Sequence, residues 1–144
     1  MRKALPKCSK ESCWKEFSQM IRVRDCLRTT GCSSWGLCIT CGKRYHIKLL
    51  QAGHFVPGRH LSNLFYEKGV HAQCYNCNIK LKGNTLEYRR QVIKLYGEGA
   101  DIEIEQNDKK TVQYKGWQYY EMREDYKHRT KEMREKNQAE ALWE

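Results

Sequence analysis

The sequence predicts an α+β chain: two extended segments and a helix stapled together by zinc, with one helix before this core and a long one after it. Three observations predict it. Two Cys-x2-Cys knuckles, Cys38–Cys41 and Cys74–Cys77, bracket the segment 42–73. Apolar residues recur at helical spacing on both sides of that bracket and alternate loosely inside it. A length of 144 residues, 40% of them hydrophobic and 31% charged, supplies one modest core and little for a second.

The first helix is expected from Ser12, its candidate N-cap, to about Asp25, with Trp14, Phe17, Met20 and Ile21 at helical spacing. A regular stripe of this kind is read as core packing ahead of base stacking. Residues 1–11 read as a tail, and the Ser/Thr/Gly-rich stretch 29–36 as a loop into the first knuckle. A strand is expected over Tyr45–His54, ended by Pro57-Gly58, and a second extended segment over Leu64–His71. The second knuckle then runs into a helix to about Leu81. Asn84 is placed to cap another helix, Thr85–Tyr96, stopped by Gly97 and Gly99. Residues 101–115 read as a linker, and Lys115–Trp143 as a long polar helix with Tyr119, Met122, Tyr126 and Met133 on one face. The expected division is a zinc-stapled domain, 1–100, and an extension, 101–144.

The charge narrows the partners. Lys plus Arg is 27 against 17 for Asp plus Glu, a formal +10, which favours an anionic partner, with nucleic acid ahead of an acidic membrane. No apolar run approaches the ~18 residues that span a bilayer. The basic start, Met1–Pro6, has no hydrophobic stretch behind it and is not expected to be a secretory signal. Eight cysteines in such a chain therefore need a reason other than a secreted disulfide framework.

The knuckles supply that reason. A tight turn points both thiolates of each pair at one ion, and two pairs make a closed tetrahedral zinc site with no coordination position left for chemistry. Buried free thiols would not explain the doubled spacing. The looser pairs, Cys8-x4-Cys13 and Cys26-x5-Cys32, leave a second zinc site and unpaired thiols both open, with unpaired thiols favoured. Between the knuckles lie His46, His54, His60 and His71. His54 ends the first strand, and Asn78 directly follows the last knuckle cysteine. An amide oxygen there suits a hard ion such as Mg2+, as a thiolate does not.

The ordered run Ala52-Gly53-His54-Phe55, Arg59-His60, Phe65-x-Glu67, Val70-His71-x-Gln73-Cys74-x-x-Cys77-Asn78, Lys82-Gly83-Asn84 and Tyr88-Arg89 resembles the NinG (Rap) recombination proteins of lambdoid phages. Upstream, Trp14-x-x-Phe17-Ser18, Ile21-Arg22-x-Arg24-Asp25 and Cys38-Ile39-x-Cys41-Gly42 fit the same pattern, so the likeness covers about residues 12–97. That family is similar in turn to the HNH, or ββα-metal, nucleases, including phage endonuclease VII. The resemblance implies a divalent-metal-dependent endonuclease acting on branched DNA in the cytoplasm of a bacterial host. It implies His54 as general base and Asn78 as a ligand of a catalytic Mg2+ or Mn2+, the zinc being structural.

Two positions depart from the HNH pattern. Gly53 stands where a metal-binding Asp or His often precedes the base, and Gly69 stands where an Asn is expected, with Asn63 the nearest asparagine. His71 and Glu67 are the expected replacements, His71 as a catalytic-site residue and Glu67 as a ligand of the catalytic ion. Arg59, His60, Lys80, Lys82, Arg89 and Arg90 form an expected phosphate track, the other reading being solvated helix faces. The departures keep a rival in view: a zinc-finger module that binds DNA without cutting it. A homodimer through the Tyr119–Met133 stripe is weighed against that stripe folding back onto Trp14 and Phe17.

Overall fold

The computed structural model describes residues 3–141. Helix α1 (Lys10–Thr30) leads into strands β1 (Trp35–Leu37), β2 (Arg44–His46) and β3 (Leu50–His54), then a short helix α2 (Leu61–Leu64) and strand β4 (Val70–Cys74). Helices α3 (Thr85–Tyr96), α4 (Ala100–Asp108) and α5 (Gly116–Ala141) complete the chain. Single 3-10 turns at 47–49 and 67–69 enter β3 and β4, and a π turn, Asn76–Lys80, follows β4.

α1 is capped three residues earlier than expected, at Ser9, whose Oγ accepts the Ser12 N–H at 3.1 Å. It runs on to Gly31, whose φ of 75° closes it in the left-handed region. Its stripe of Cys13, Phe17, Met20 and Ile21 is fully buried, and each such large side chain contributes roughly 1.5–3 kcal/mol by leaving water. α5 lies along the same stripe. Tyr126 meets Phe17 at a ring-centroid distance of 5.0 Å, and Tyr119, Met122 and Met133 pack against the same cluster. Of the apolar face weighed as a dimer seam, Tyr126 is buried within the chain and the other three members are half-buried there. Trp143 lies outside the described residues.

β1 pairs with β2, and β3 with β4, both antiparallel. The β3–β4 register runs from Leu50↔Cys74 to His54↔Val70. Alternation therefore turns Leu50, Ala52 and His54 toward α1, and Gln51, Gly53, His71 and Gln73 toward the π turn and α3. The outer edge of β4 is closed by α1 and the first knuckle. The Ala72 N–H donates to Asp25 at 2.7 Å, and its carbonyl accepts from the Ile39 N–H at 2.9 Å. Arg24 donates to the Glu67 and Val70 carbonyls at 3.0 and 2.7 Å. Burial opposes charge on Asp25, but Arg24 and the Ala72 N–H hold its carboxyl below the usual carboxylate range.

Several elements differ from expectation. The Tyr45–His54 strand is interrupted by the turn at 47–49, and Leu64–His71 is extended only from Val70. Asn63 explains the second difference: its Nδ2 donates to the Ile104 carbonyl and its Oδ1 accepts from Asn107, clasping α2 to α4. The expected linker is partly helix α4. Ile102 is exposed while Ala100 and Ile104, four apart, are buried with Phe55, Tyr88 and Val92. The pair Ile102-x-Ile104 looked like strand alternation, but the functional spacing was helical. Helices α4 and α5 share cores with the first hundred residues, Ile104 with Phe55, Tyr88 and Val92, and Tyr126 with Phe17 and Phe65.

Candidate metal centre and nucleic-acid cleft

The four knuckle cysteines come together as the spacing requires. The sulfurs of Cys38, Cys41, Cys74 and Cys77 all lie within 4.8 Å of one another, a cluster suited to a structural metal such as zinc. Backbone donors already face these sulfurs, with the Cys74 N–H 3.3 Å from Cys38 Sγ and the Cys77 N–H 3.4 Å from Cys74 Sγ. Burial pushes the Cys38 thiol up, but donors from Cys41, Thr40 and Cys74 outweigh it and bring it to about 7. Burial and the crowding of Cys38 and Cys74 push Cys41 up to about 12, a repulsion that a divalent cation relieves. The cluster joins the β1–β2 knuckle to the end of β4 and the π turn.

Among the described residues the other cysteines make no second centre. Cys8 and Cys13 sit at the start of α1, Cys26 and Cys32 at its end, and the 13 residues from Cys13 to Cys26 span about 20 Å of helix. Burial raises Cys13 to about 12 and Cys26 to about 11, so both are protonated, inert core thiols.

His54 ends β3 with its ring stacked on Trp14, the centroids 5.2 Å apart. Its Nε2 lies 3.2 Å from the Leu64 carbonyl. A carbonyl only accepts, so Nε2 carries the proton and Nδ1 keeps a lone pair. Burial first, and Arg59 in addition, lower the His54 pKa, against the Leu64 bond that raises it. The ring is a neutral imidazole at neutral pH.

His54 and Asn78 line one cleft of about 220 Å³, together with Ala52, Gly58, Arg59, Ile79, Lys82 and Gly83. A groove beside it continues over Trp14, Ser18, Arg22, Gln51 and Arg59. Among the described residues three non-glycine residues have positive φ, Arg59 at 53°, Lys82 at 51° and Asn84 at 47°. Two of them, Arg59 and Lys82, are the cations of the cleft, so backbone strain is concentrated beside the His54–Asn78 pair. The Arg59 guanidinium lies 4.6 Å from the Trp14 ring centroid, on the aromatic platform that also supports His54.

The other expected site residues are placed elsewhere. His71 is on the opposite face of the strand pair from His54 and fully buried. The Tyr88 hydroxyl donates to the Gly53 carbonyl at 2.6 Å and accepts from His71 Nδ1 at 3.2 Å, while Tyr96 bonds His71 Nε2 at 2.7 Å. Burial lowers His71 to about 3. It buttresses the Gly53–His54 strand and does not reach the cleft. Glu67 is ion-paired with Arg129 from α5 and is not a cleft residue either. His60 Nδ1 faces Asp108 at 3.1 Å. Arg89 is neutralised by Asp101 and Glu105 at 2.5 and 2.6 Å, and Arg90 pairs with Glu87. The expected phosphate track thus contracts: Arg59 and Lys82 line the cleft and Arg22 joins them, while Lys80 sits on the π turn outside it. Arg22 and Gln73 carried no assignment from the sequence. Arg22 falls in a helical stripe read only for its apolar members.

A small α+β protein knit together by four clustered thiols is the class that this architecture defines. The family within that class is shown directly: the family model described as Bacteriophage Lambda NinG protein matches residues 1–137, and the chain belongs to that family. No curated protein and no solved structure matches it. Among the described residues no helix is long and apolar enough to cross a membrane.

Proposed function

We propose that this protein is a divalent-metal-dependent endonuclease that hydrolyses phosphodiester bonds in branched DNA during phage recombination. The observation that carries the reading is His54: a neutral imidazole with Nδ1 free, oriented by the Leu64 carbonyl, in a cleft that also holds Asn78, Arg59 and Lys82.

The residues divide the work. Nδ1 of His54 takes a proton from water as the water oxygen attacks the scissile phosphorus. The bond from phosphorus to the 3′ oxygen breaks, and that oxygen is protonated from solvent, giving a 5′ phosphate and a 3′ hydroxyl. Arg59 and Lys82 hold the flanking phosphates, and Trp14 fixes the His54 ring. The fit of the cleft to a hard cation rests on its donor set, because Asn78 presents a neutral amide oxygen and no thiolate enters the cleft. Asn78 would hold that cation, which neutralises charge building on the scissile phosphate and the leaving oxygen. The thiolate cluster has four protein ligands and no open position, which assigns it to the fold.

The rival, a module that binds DNA without cutting, differs in one readout. A labelled four-way junction incubated with the protein and Mg2+, Mn2+ or EDTA is nicked only in the presence of metal under the nuclease reading. It is bound and left intact under the rival.

A further inference from the structure

Asn78 alone is a thin hold on a cation, and Gly53 offers no side chain to help. We infer that Gln73 Oε1 is the second protein ligand of the cleft's divalent cation, standing in the space that the missing Gly53 side chain leaves; this rests on the nuclease reading for the cation's purpose, not for its binding.

Four observations carry it. Gln73 is fully buried, and its Oε1 is the one buried side-chain polar atom among the described residues without a hydrogen-bond partner. Such an orphan acceptor in a packed strand calls for a missing partner. Its orientation is pinned: Nε2 donates to the Gly83 carbonyl at 3.0 Å and to Thr40 Oγ1 at 3.2 Å, and the carbonyl cannot accept from Oε1, so the amide is not reversed. A Cβ built on Gly53 would stand 2.0 Å from Gln73 Oε1 and 3.0 Å from Asn78 Oδ1, so two amide oxygens face one cradle that any side chain at 53 would fill. Asn78 Nδ2 donates to Gln51 Oε1 at 2.8 Å, and its Oδ1 is turned to the cradle.

The chemistry follows from the donors. Two neutral amide oxygens suit a hard cation but bring no charge to neutralise it, so phosphate oxygens of bound DNA and water complete the shell. Cation binding should therefore be weak on the free protein and tighten when DNA is present.

Mn2+ binding to the zinc-loaded protein, read from the loss of the free-ion paramagnetic resonance signal, tests this without cleavage. In a His54→Ala background the junction stays intact, so affinity is measured with and without it. Gln73→Leu should weaken Mn2+ binding at least about tenfold with zinc content unchanged. Should that variant lose zinc, Gly53→Ala is the second probe, since its methyl group displaces Oε1 while every cysteine stays in place. The double variant Gly53→Asp, Gln73→Ala should recover Mn2+ binding, a rescue that a merely structural or water-holding Gln73 does not produce. Wild-type Mn2+ affinity in Gln73→Leu or Gly53→Ala, zinc retained, overturns the inference. If affinity depends on Asn78 and not on Gln73, the ligand assignment falls and the nuclease reading stands. If it depends on Gln73 and no junction is ever cut, the ligand stands and the nuclease reading falls.

Discussion

The Nε2 of His54 lies 3.2 Å from the carbonyl oxygen of Leu64. That one bond decides which nitrogen of the ring is available for chemistry, because the carbonyl requires a proton on Nε2. Nitrogen-detected NMR of the free protein should show His54 as the Nε2-protonated tautomer, still neutral where a free imidazole takes up its proton. With its pKa lowered by burial, the basic form persists below the ordinary histidine range. The cleavage rate should therefore stay level as pH falls through about 6.5 and drop only further down. A rate falling in step with an unperturbed histidine contradicts the assignment.

The thiolate cluster should control folding. Cys74 is at once the last residue of β4 and a member of the cluster, so Cys74→Ser should release metal and uncouple the strand pair from the π turn. Structural zinc is worth roughly 10–16 kcal/mol in small zinc modules, as much as the whole stability of an ordinary domain. Circular dichroism should show a largely unfolded chain. Native signal and unchanged melting in Cys74→Ser, with no bound metal, contradict the structural role.

His71 makes acid costly. Its folded pKa, about 3, is below its unfolded value, so the unfolded chain takes up a proton that the folded chain refuses. The stability from keeping His71 neutral is whole above about pH 6.5 and is lost toward pH 3, at up to ~1.4 kcal/mol per pH unit. Urea midpoints at pH 7 and pH 5.5 should therefore differ more in wild type than in His71→Gln. Equal differences would show that His71 is protonated without cost.

The cations of the cleft should be separable from those tied up elsewhere. Arg59→Gln and Lys82→Gln should each reduce the salt dependence of DNA binding by about 0.9 in log–log slope, one phosphate contact apiece. Arg89→Gln, whose guanidinium already serves Asp101 and Glu105, should leave that slope alone and lower the melting temperature. The reverse pattern, measured by fluorescence anisotropy across a salt series, would return the phosphate track to α3.

What could be read from the sequence divides by range. The cysteine cluster, α1, α3 and α5 were legible, because their signals are local: fixed spacing for the thiolates, helical periodicity for the rest. His54 and Asn78, both singled out from the sequence, line one cleft. Strand register turns His71, opposite Gly53, away from His54, and Arg129 from α5 holds Glu67 in an ion pair; neither relationship is local in the sequence. Arg89 looked like a free cation until α4 brought Asp101 and Glu105 to it, and α4 itself was hidden by a two-residue alternation. Gln73 stood in the family-like run with no role attached to it. Its importance lies in an unpaired oxygen and a missing methyl group on the neighbouring strand, which only coordinates reveal.

The nuclease reading is decided by incubating a labelled four-way junction with wild type and with His54→Ala, each zinc-loaded, in Mg2+, in Mn2+ and in EDTA. Under that reading wild type leaves nicks with 5′ phosphate ends in metal and none in EDTA. His54→Ala binds the junction with wild-type affinity and leaves it whole. Nicking by His54→Ala at the wild-type rate, or intact junction in every metal with wild type bound, would contradict it.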